Sequence, residues 1–373
     1  MFGFANFLLL ALFAAAVFDL IFALARGGGL RGALHGLWNT PHLLFGQQLA
    51  EWRLQLGRIL FAAGLAAYEI SVVFCNSMAR QNWAWVQGVM SPVLEWLAFL
   101  CFGAKILFGT RYTWRELLAG GALYFIARWV YFNSQNIWWI GIVVAVLAAK
   151  DVPLRRPLQV YFASGCAAMA VVLALHFAGI VAPDLTSERM GALRGTYGYG
   201  HPNTFGGLVF GLVLAYALLR AQKVRWVDCL LVFAIGVFLL VGPASRSAAL
   251  CTLALAVGLV FCRLRAGHSV PRWWPGTCAG MVGLTAAVSY LLPLLVIKVG
   301  PWNNDIGPAW LAKLDSLLTC RISLTWMAYR LLDVKIAGQV FNWPTVDNSF
   351  AFALFQFCLL YTSPSPRDIS GSR

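Results

Sequence analysis

Long apolar stretches separated by short polar turns dominate the chain. Runs of spanning or near-spanning length fall at about 2–25, 57–79, 91–109, 117–132, 137–149, 160–182, 204–219, 226–242, 247–262 and 277–297. Roughly 20 apolar residues carry a helix across the hydrocarbon core. Only structures that satisfy their backbone hydrogen bonds internally survive there. The pattern therefore predicts an all-α fold, a polytopic transmembrane helix bundle of about 10 membrane helices. The first run lacks a basic leading segment and carries Asp19, so it reads as a retained helix and not as a signal peptide.

A further apolar run opens at Ser349 and stops at Tyr361, about 13 residues and too short to span. It predicts an eleventh helix, cut short. Residues 358–368 read CLLYTSPSPRD, a string that resembles a translated transposon-end sequencing adapter. The expectation is one polytopic membrane domain over 1–357, truncated at its C-terminus, with 358–373 a non-native tail.

Loop charge sets the orientation. Basic residues cluster in alternate connections: Arg26, Arg31, Arg53 and Arg58; Arg111 and Arg115; Lys150, Arg155 and Arg156; Arg220, Lys223 and Arg225; Arg263, Arg265 and Arg272. By the positive-inside rule these face the cytoplasm and the N-terminus lies outside. The intervening loops then face out, including 183–203 and the long 298–348. The inner connection 26–58 is mildly amphipathic and suits the inner leaflet.

Composition narrows the class. Hydrophobic residues make up 60% of the chain and charged residues 11%, against roughly 25% charged in soluble domains. Sixteen Trp and 26 Phe suit interfacial anchoring. The net charge of +14 is spread between apolar segments with no basic run, which makes it topology charge and argues against a nucleic-acid partner. Nine scattered Cys form no CxxC and no metal-ligand spacing; small buried hydrophobes are the better reading.

Chemistry must sit in polar groups the fold does not need, and the two outward loops hold most of them. His201-Pro202-Asn203 starts a helix, with Asn203 a candidate cap; His201 also suits a general base or a ligand contact, because an ordinary imidazole titrates near neutrality. Arg194 and Arg189 share their loop with Asp184 and Glu188, so internal pairing is one reading. Arg246 occupies a tight outer turn where positive charge is unusual; it either snorkels to headgroups or binds phosphate or glycan. Arg321 shares a long loop with Lys313, Arg330 and Lys335 and is either solvated or a ligand cation. Asp347 and Asn348 are either a helix cap or part of a site. Glu69, mid-helix, is expected to face the bundle interior, and Gly207-xxx-Gly211 to serve close helix packing.

Four ordered elements carry a family resemblance. Residues 197–204 read YGYGHPNT and resemble the GFGHPN element of Wzy-type polysaccharide polymerases, within the O-antigen ligase/polymerase superfamily. Residues 243–247 (PASRS) resemble that family's SR(S/T). Residues 314–322 (LDSLLTCRI) resemble N-x-x-L-S-G-R, with Asp315, Thr319 and Cys320 where Asn, Ser and Gly are usual. Ile336, Ala337, Gly338 and Gln339, then Val346, Asp347, Asn348, Ser349 and Phe350, resemble FG followed by (V/I)DN-x-Y. Arg189 and Gly200 also fit an R-x10-G pattern of such polymerases, without a second copy.

The resemblance implies a membrane glycosyltransferase that joins undecaprenyl-diphosphate-linked repeats on the outer face of a bacterial plasma membrane. It implies Arg194, Arg246 and Arg321 as diphosphate ligands, His201 in proton transfer or donor binding, and Asn203, Asp347 and Asn348 as glycan or diphosphate contacts. It calls for no cofactor and no metal. The implied partners are lipid-linked oligosaccharides, the bilayer, a flippase and a chain-length regulator. A ligase of the same superfamily is the nearest alternative. A lipid-linked-sugar transporter is the alternative of another class, and would need polar residues lining a membrane-depth cavity.

Overall fold

The computed structural model describes residues 2–25, 29–44, 51–135, 138–181, 187–189, 192–265, 274–295, 308–317, 321–332 and 339–340. Among these the chain is all-α apart from four very short strands. The helices are α1 (Phe2–Ala25), α2 (Gly29–Asn39), α3 (Glu51–Cys75), α4 (Ala79–Asn82), α5 (Ser91–Phe108), α6 (Trp114–Ser134), α7 (Trp138–Ala149), α8 (Arg155–Phe177), α9 (Pro202–Arg220), α10 (Trp226–Val241), α11 (Arg246–Leu264), α12 (Trp274–Leu291), α13 (Ala309–Leu317) and α14 (Arg321–Leu331). Strands β1 (His42–Leu43) and β2 (Arg111–Tyr112) pair antiparallel, as do β3 (Ser187–Arg189) and β4 (Ala192–Arg194).

Six helices among the described residues are long and apolar enough to cross a membrane: Phe7–Ala25, Glu51–Cys75, Val86–Phe108, Arg155–Phe177, Pro202–Lys223 and Arg246–Leu264. Trp139–Ala149, Trp226–Val241 and Ala279–Leu295 are apolar but shorter, and Trp114–Ser134 is diluted by Arg115, Glu116, Arg128 and Asn133. Each of the ten apolar runs thus coincides with a helix, while six meet the length and hydropathy of a span. The eleventh run and the tail lie outside the described residues.

The chain divides into two units, Met1–Gly121 with Val144–His268, and Ala122–Val143 with Ser269–Arg373. In the first, α5, α3, α8, α9, α11 and α10 pack each on the next. Their outward faces stay apolar: Val241, Val257 and Leu230 are each at least two-thirds exposed. Water would not tolerate such a surface, whereas lipid matches it. Small residues set the closest approaches, as expected where lipid offers no hydrophobic drive for association. A Cβ at Gly57 of α3 would lie 2.8 Å from the Gly109 carbonyl, and one at Gly211 of α9 would lie 2.5 Å from the Tyr161 hydroxyl of α8.

Connections group by end. At one, β1 pairs with β2, the Tyr112 hydroxyl donates to the Leu147 carbonyl at 2.7 Å, and Lys150 pairs with Glu116. Buried Lys105 donates there to Thr110 Oγ1 at 2.9 Å and to the Lys150 carbonyl at 2.7 Å. These are loops that the charge pattern assigns to the cytoplasm. Elsewhere, the Met78 N–H donates to the Gly198 carbonyl at 2.8 Å and the Gly195 N–H to the Gly242 carbonyl at 3.4 Å. Those bonds tie together three loops assigned to the outer side. In the second unit, Ile322 and Trp326 of α14 pack with Leu311 and Leu314 of α13 and with Leu292 of the turn Leu292–Leu295.

Candidate functional site

The first unit's candidate residues meet where α9 and α11 begin. Pro202 opens α9, where its missing N–H costs nothing. His201 is the N-cap, extended at φ −153° and ψ 141°, and its Nδ1 accepts from the Asn203 N–H at 3.1 Å. The imidazole thus performs the capping that the sequence suggested for Asn203. A ring nitrogen that accepts carries no proton, so neutral His201 holds its proton on Nε2 as a donor. Service as a base through Nδ1 would require breaking the cap.

Freed from capping, the Asn203 side chain links two other elements. Its Oδ1 accepts from Arg194 Nη2 at 3.1 Å and from Ser245 Oγ at 3.3 Å. Arg194, only 6% exposed, also donates through Nε to the Pro243 carbonyl at 3.2 Å and through Nη2 to the Ala244 carbonyl at 3.2 Å. One rigid guanidinium fork therefore clamps the head of α9 to the turn between α10 and α11. Tyr197 (φ 51°) and Ala244 (φ 47°) hold left-handed backbone beside this clamp. Such conformations persist where the surroundings over-determine them. The Tyr197 ring lies 5.0 Å from that of Phe205 and 5.5 Å from that of Phe238.

The head of α11 is left open by the same bonds. Ser245 is its N-cap, but the hydroxyl turns to Asn203 and no side chain caps the helix. Its first residue is Arg246, exposed and without a hydrogen-bond or ion-pair partner among the described residues. A cation at a helix N-terminus opposes the macrodipole, at a cost of roughly 0.3–1 kcal/mol. Neither α9 nor α11 carries an acidic residue in its first turn. The heads of two helices, joined by the Arg194 clamp, and a lone guanidinium thus occur together, an arrangement whose electrostatics favour an anion.

Arg321 belongs to the second unit and is half-buried at the first position of α14. Buried Asp315 of α13 accepts there from the N–H groups of Ile322 at 2.8 Å and Ser323 at 3.1 Å. Asp315 is thus a remote cap for the helix that presents Arg321. Asp347 and Asn348 lie outside the described residues. The backbone of Arg189 pairs with Ala192 in the β3–β4 hairpin.

Glu69 of α3 is buried, and its Oε1 would lie 3.1 Å from a Cβ at Gly165 of α8; no donor among the described residues reaches it. Tyr199 is fully buried, and its hydroxyl lacks a partner among the described residues. Burial, reinforced by the negative charge of Glu69, raises that hydroxyl's pKa well above the ordinary phenol value. Among the described residues no three His, Cys, Asp or Glu side chains form a metal-binding group.

Comparison with known proteins gives no match to any family model, curated protein or solved structure. What the helices establish is coarser. The chain is a multi-pass helical membrane protein.

Arg80 escaped the sequence reading. It stands in the 76–90 connection, donates from Nε to Gln87 Oε1 at 3.1 Å, and lies on the same polar surface as Gly200 and Thr204. A lone cation in a short loop assigned to the outside was the available signal.

Proposed function

We propose that this protein is a membrane glycosyltransferase that polymerises polyprenyl-diphosphate-linked oligosaccharides at the outer face of a bacterial inner membrane. The observation that carries the reading is Arg246, exposed and unpaired among the described residues, at the uncapped head of α11 beside the head of α9. The ordered motifs around His201, Arg246, Arg321 and Asp347 support it, because they resemble those of polysaccharide polymerases. The ten-helix topology, with its outward loops, belongs to the same reading.

In the reaction, a hydroxyl oxygen of one lipid-linked unit attacks the anomeric carbon of another. The bond from that carbon to the phosphate oxygen breaks, and its electron pair leaves with the polyprenyl diphosphate. The hydroxyl proton passes to a base or to water. Charge grows on the diphosphate as the bond breaks, so cations and helix N-termini fixed beforehand stabilise the transition state more than the ground state. Arg246 and the α11 N–H groups meet that demand, and His201 adds an Nε2–H donor. Arg194 keeps those parts in register. Arg321 is a further diphosphate ligand in this reading, on the strength of its motif.

Arg246→Ala in the full-length gene tests the proposal. A lost charge-assisted bond to phosphate is worth roughly 1.5–3 kcal/mol, so polymerisation should fall by about ten- to hundredfold and long polysaccharide should give way to single repeats on a gel. Normal long chains from a well-expressed variant would defeat the assignment. Arg246→Lys, which keeps the charge but not the fork, should recover part of the length.

A further inference from the structure

The connection between α3 and α5 and the first turn of α9 enclose a cleft of about 620 Å³. It is lined chiefly by Asn76, Arg80, Gln81, Gln87, Gly200 and Thr204. Cys75, Ser77 and Ala84 complete the lining, whose polar groups are amide, hydroxyl, thiol and guanidinium, with no carboxylate. Much of it is uncommitted: among the described residues Gln81 and Thr204 make no side-chain hydrogen bond, and Gln87 uses only Oε1, leaving its amide donors. Arg80 uses only Nε, so its terminal nitrogens also remain. Gly200 contributes no side chain, and a Cβ there would meet only Gln81 Nε2, at 4.0 Å. Isolated surface amides are ordinary; a concave set of amide and hydroxyl groups with unused donors and acceptors is not.

Position adds to composition. Thr204 lies in the first turn of α9, directly after Asn203, so the cleft adjoins the Arg194 clamp. The bridge between Ser77 and Tyr199 and the bonds Met78 N–H to Gly198 carbonyl and Gly200 N–H to Asn76 carbonyl (2.8 and 3.5 Å) fix its two walls together. Trp83 and Trp85 flank Ala84 of the lining and stack with centroids 6.2 Å apart. Paired Trp at the end of a span suits the headgroup level, where a lipid-linked sugar begins.

We infer that this cleft is the sugar subsite, binding hydroxyl-rich repeat units through the amides of Gln81 and Gln87, Thr204 and Arg80, apart from the diphosphate-binding head of α11. Amides match sugar hydroxyls because they donate and accept at once. The single guanidinium adds affinity for an acidic sugar without demanding one. The inference rests on the glycosyltransferase reading for its ligand class but is tested separately.

The test uses the full-length protein in lipid nanodiscs and two probes. One is the oligosaccharide released from the host's surface polysaccharide by mild acid, free of lipid and phosphate; the other is undecaprenyl diphosphate without sugar. Gln81→Ala combined with Thr204→Val should weaken oligosaccharide binding about tenfold, as two lost hydrogen bonds allow, and leave the lipid diphosphate unaffected. Arg246→Ala should do the reverse. Undiminished oligosaccharide affinity in the double variant, or none in the wild type, overturns the inference. Were Arg246→Ala to leave polymer length normal while cleft-dependent sugar binding persisted, the diphosphate assignment would fail and the sugar subsite would stand.

Discussion

Replacing Arg194 with Met removes three hydrogen bonds from a buried guanidinium and strands the carbonyls of Pro243 and Ala244. Roughly 3 kcal/mol of stability should go with them, seen as a lower unfolding temperature in nanodiscs. Arg194→Lys should recover little, because an ammonium cannot bridge three acceptors set in a fork. Arg246→Ala should leave that temperature unchanged or slightly higher, since it removes a cation that opposes a helix dipole. His201 divides the same way. His201→Ala loses a cap worth about 1 kcal/mol, and His201→Asn restores it. Stability should return with Asn while chain length does not, because the Nε2 donor is still missing. At this scale the sequence was informative about which residues lie together and poor about how. Arg194, His201 and Asn203 are drawn together, but the partners of Arg194 include two backbone carbonyls about 50 residues away, which no side-chain pattern announces.

Between helices, two adjacent glycines separate packing from mere flexibility. A Cβ at Gly206 of α9 would lie 2.5 Å from Ser245 Oγ and 3.1 Å from Ala248 Cβ, whereas one at Gly207 meets nothing within 4 Å. Gly206→Ala should therefore push the heads of α9 and α11 apart at a cost of roughly 1–3 kcal/mol and shorten the polymer. Gly207→Ala should be silent in both melting and chain length. The Gly207-xxx-Gly211 spacing pointed to helix packing; Gly211 does approach Tyr161, but the close partner of α11 is Gly206. Spacing alone tells that a helix has a small-residue face. Which glycine touches which neighbour depends on the crossing, which the one-dimensional pattern does not contain.

Across the molecule, each of the ten apolar runs among the described residues is a helix, because lipid leaves the backbone no other means of satisfying its polar groups. Span number was less legible, since helices such as α10, 16 residues long, fall below a straight crossing. The loop-charge pattern agrees with the structure in one respect: connections assigned to one side bond to one another, β1 to β2 and the 76–78 turn to the 194–200 loop. The β1–β2 end also carries a pH-sensitive tie. His42 Nε2 lies 3.4 Å from buried Asp19 Oδ2 of α1, and its Nδ1 donates to the Thr40 carbonyl at 3.1 Å. Burial alone would lower the His42 pKa, but the close contact with the Asp19 carboxylate, the bond to Thr40 and the charge of Asp19 together outweigh it, and the net shift is upward from 6.5. The protonated form is thus favoured by folding. The tie contributes fully below pH 6.5 and fades as pH rises through the higher folded value. Melting temperature should decline over that window in the wild type and stay flatter in His42→Gln.

The reach of Arg194 bears on biosynthesis. Its acceptors at Pro243 and Ala244 emerge from the ribosome about 50 residues later, after the whole of α10. Until α10 and the turn that follows it have been made, the guanidinium has no carbonyls to hold and the strained Tyr197 backbone lacks its brace. Maturation of this face is therefore a late event, coupled to the arrival of the α10–α11 pair and not to the insertion of α9 that precedes it.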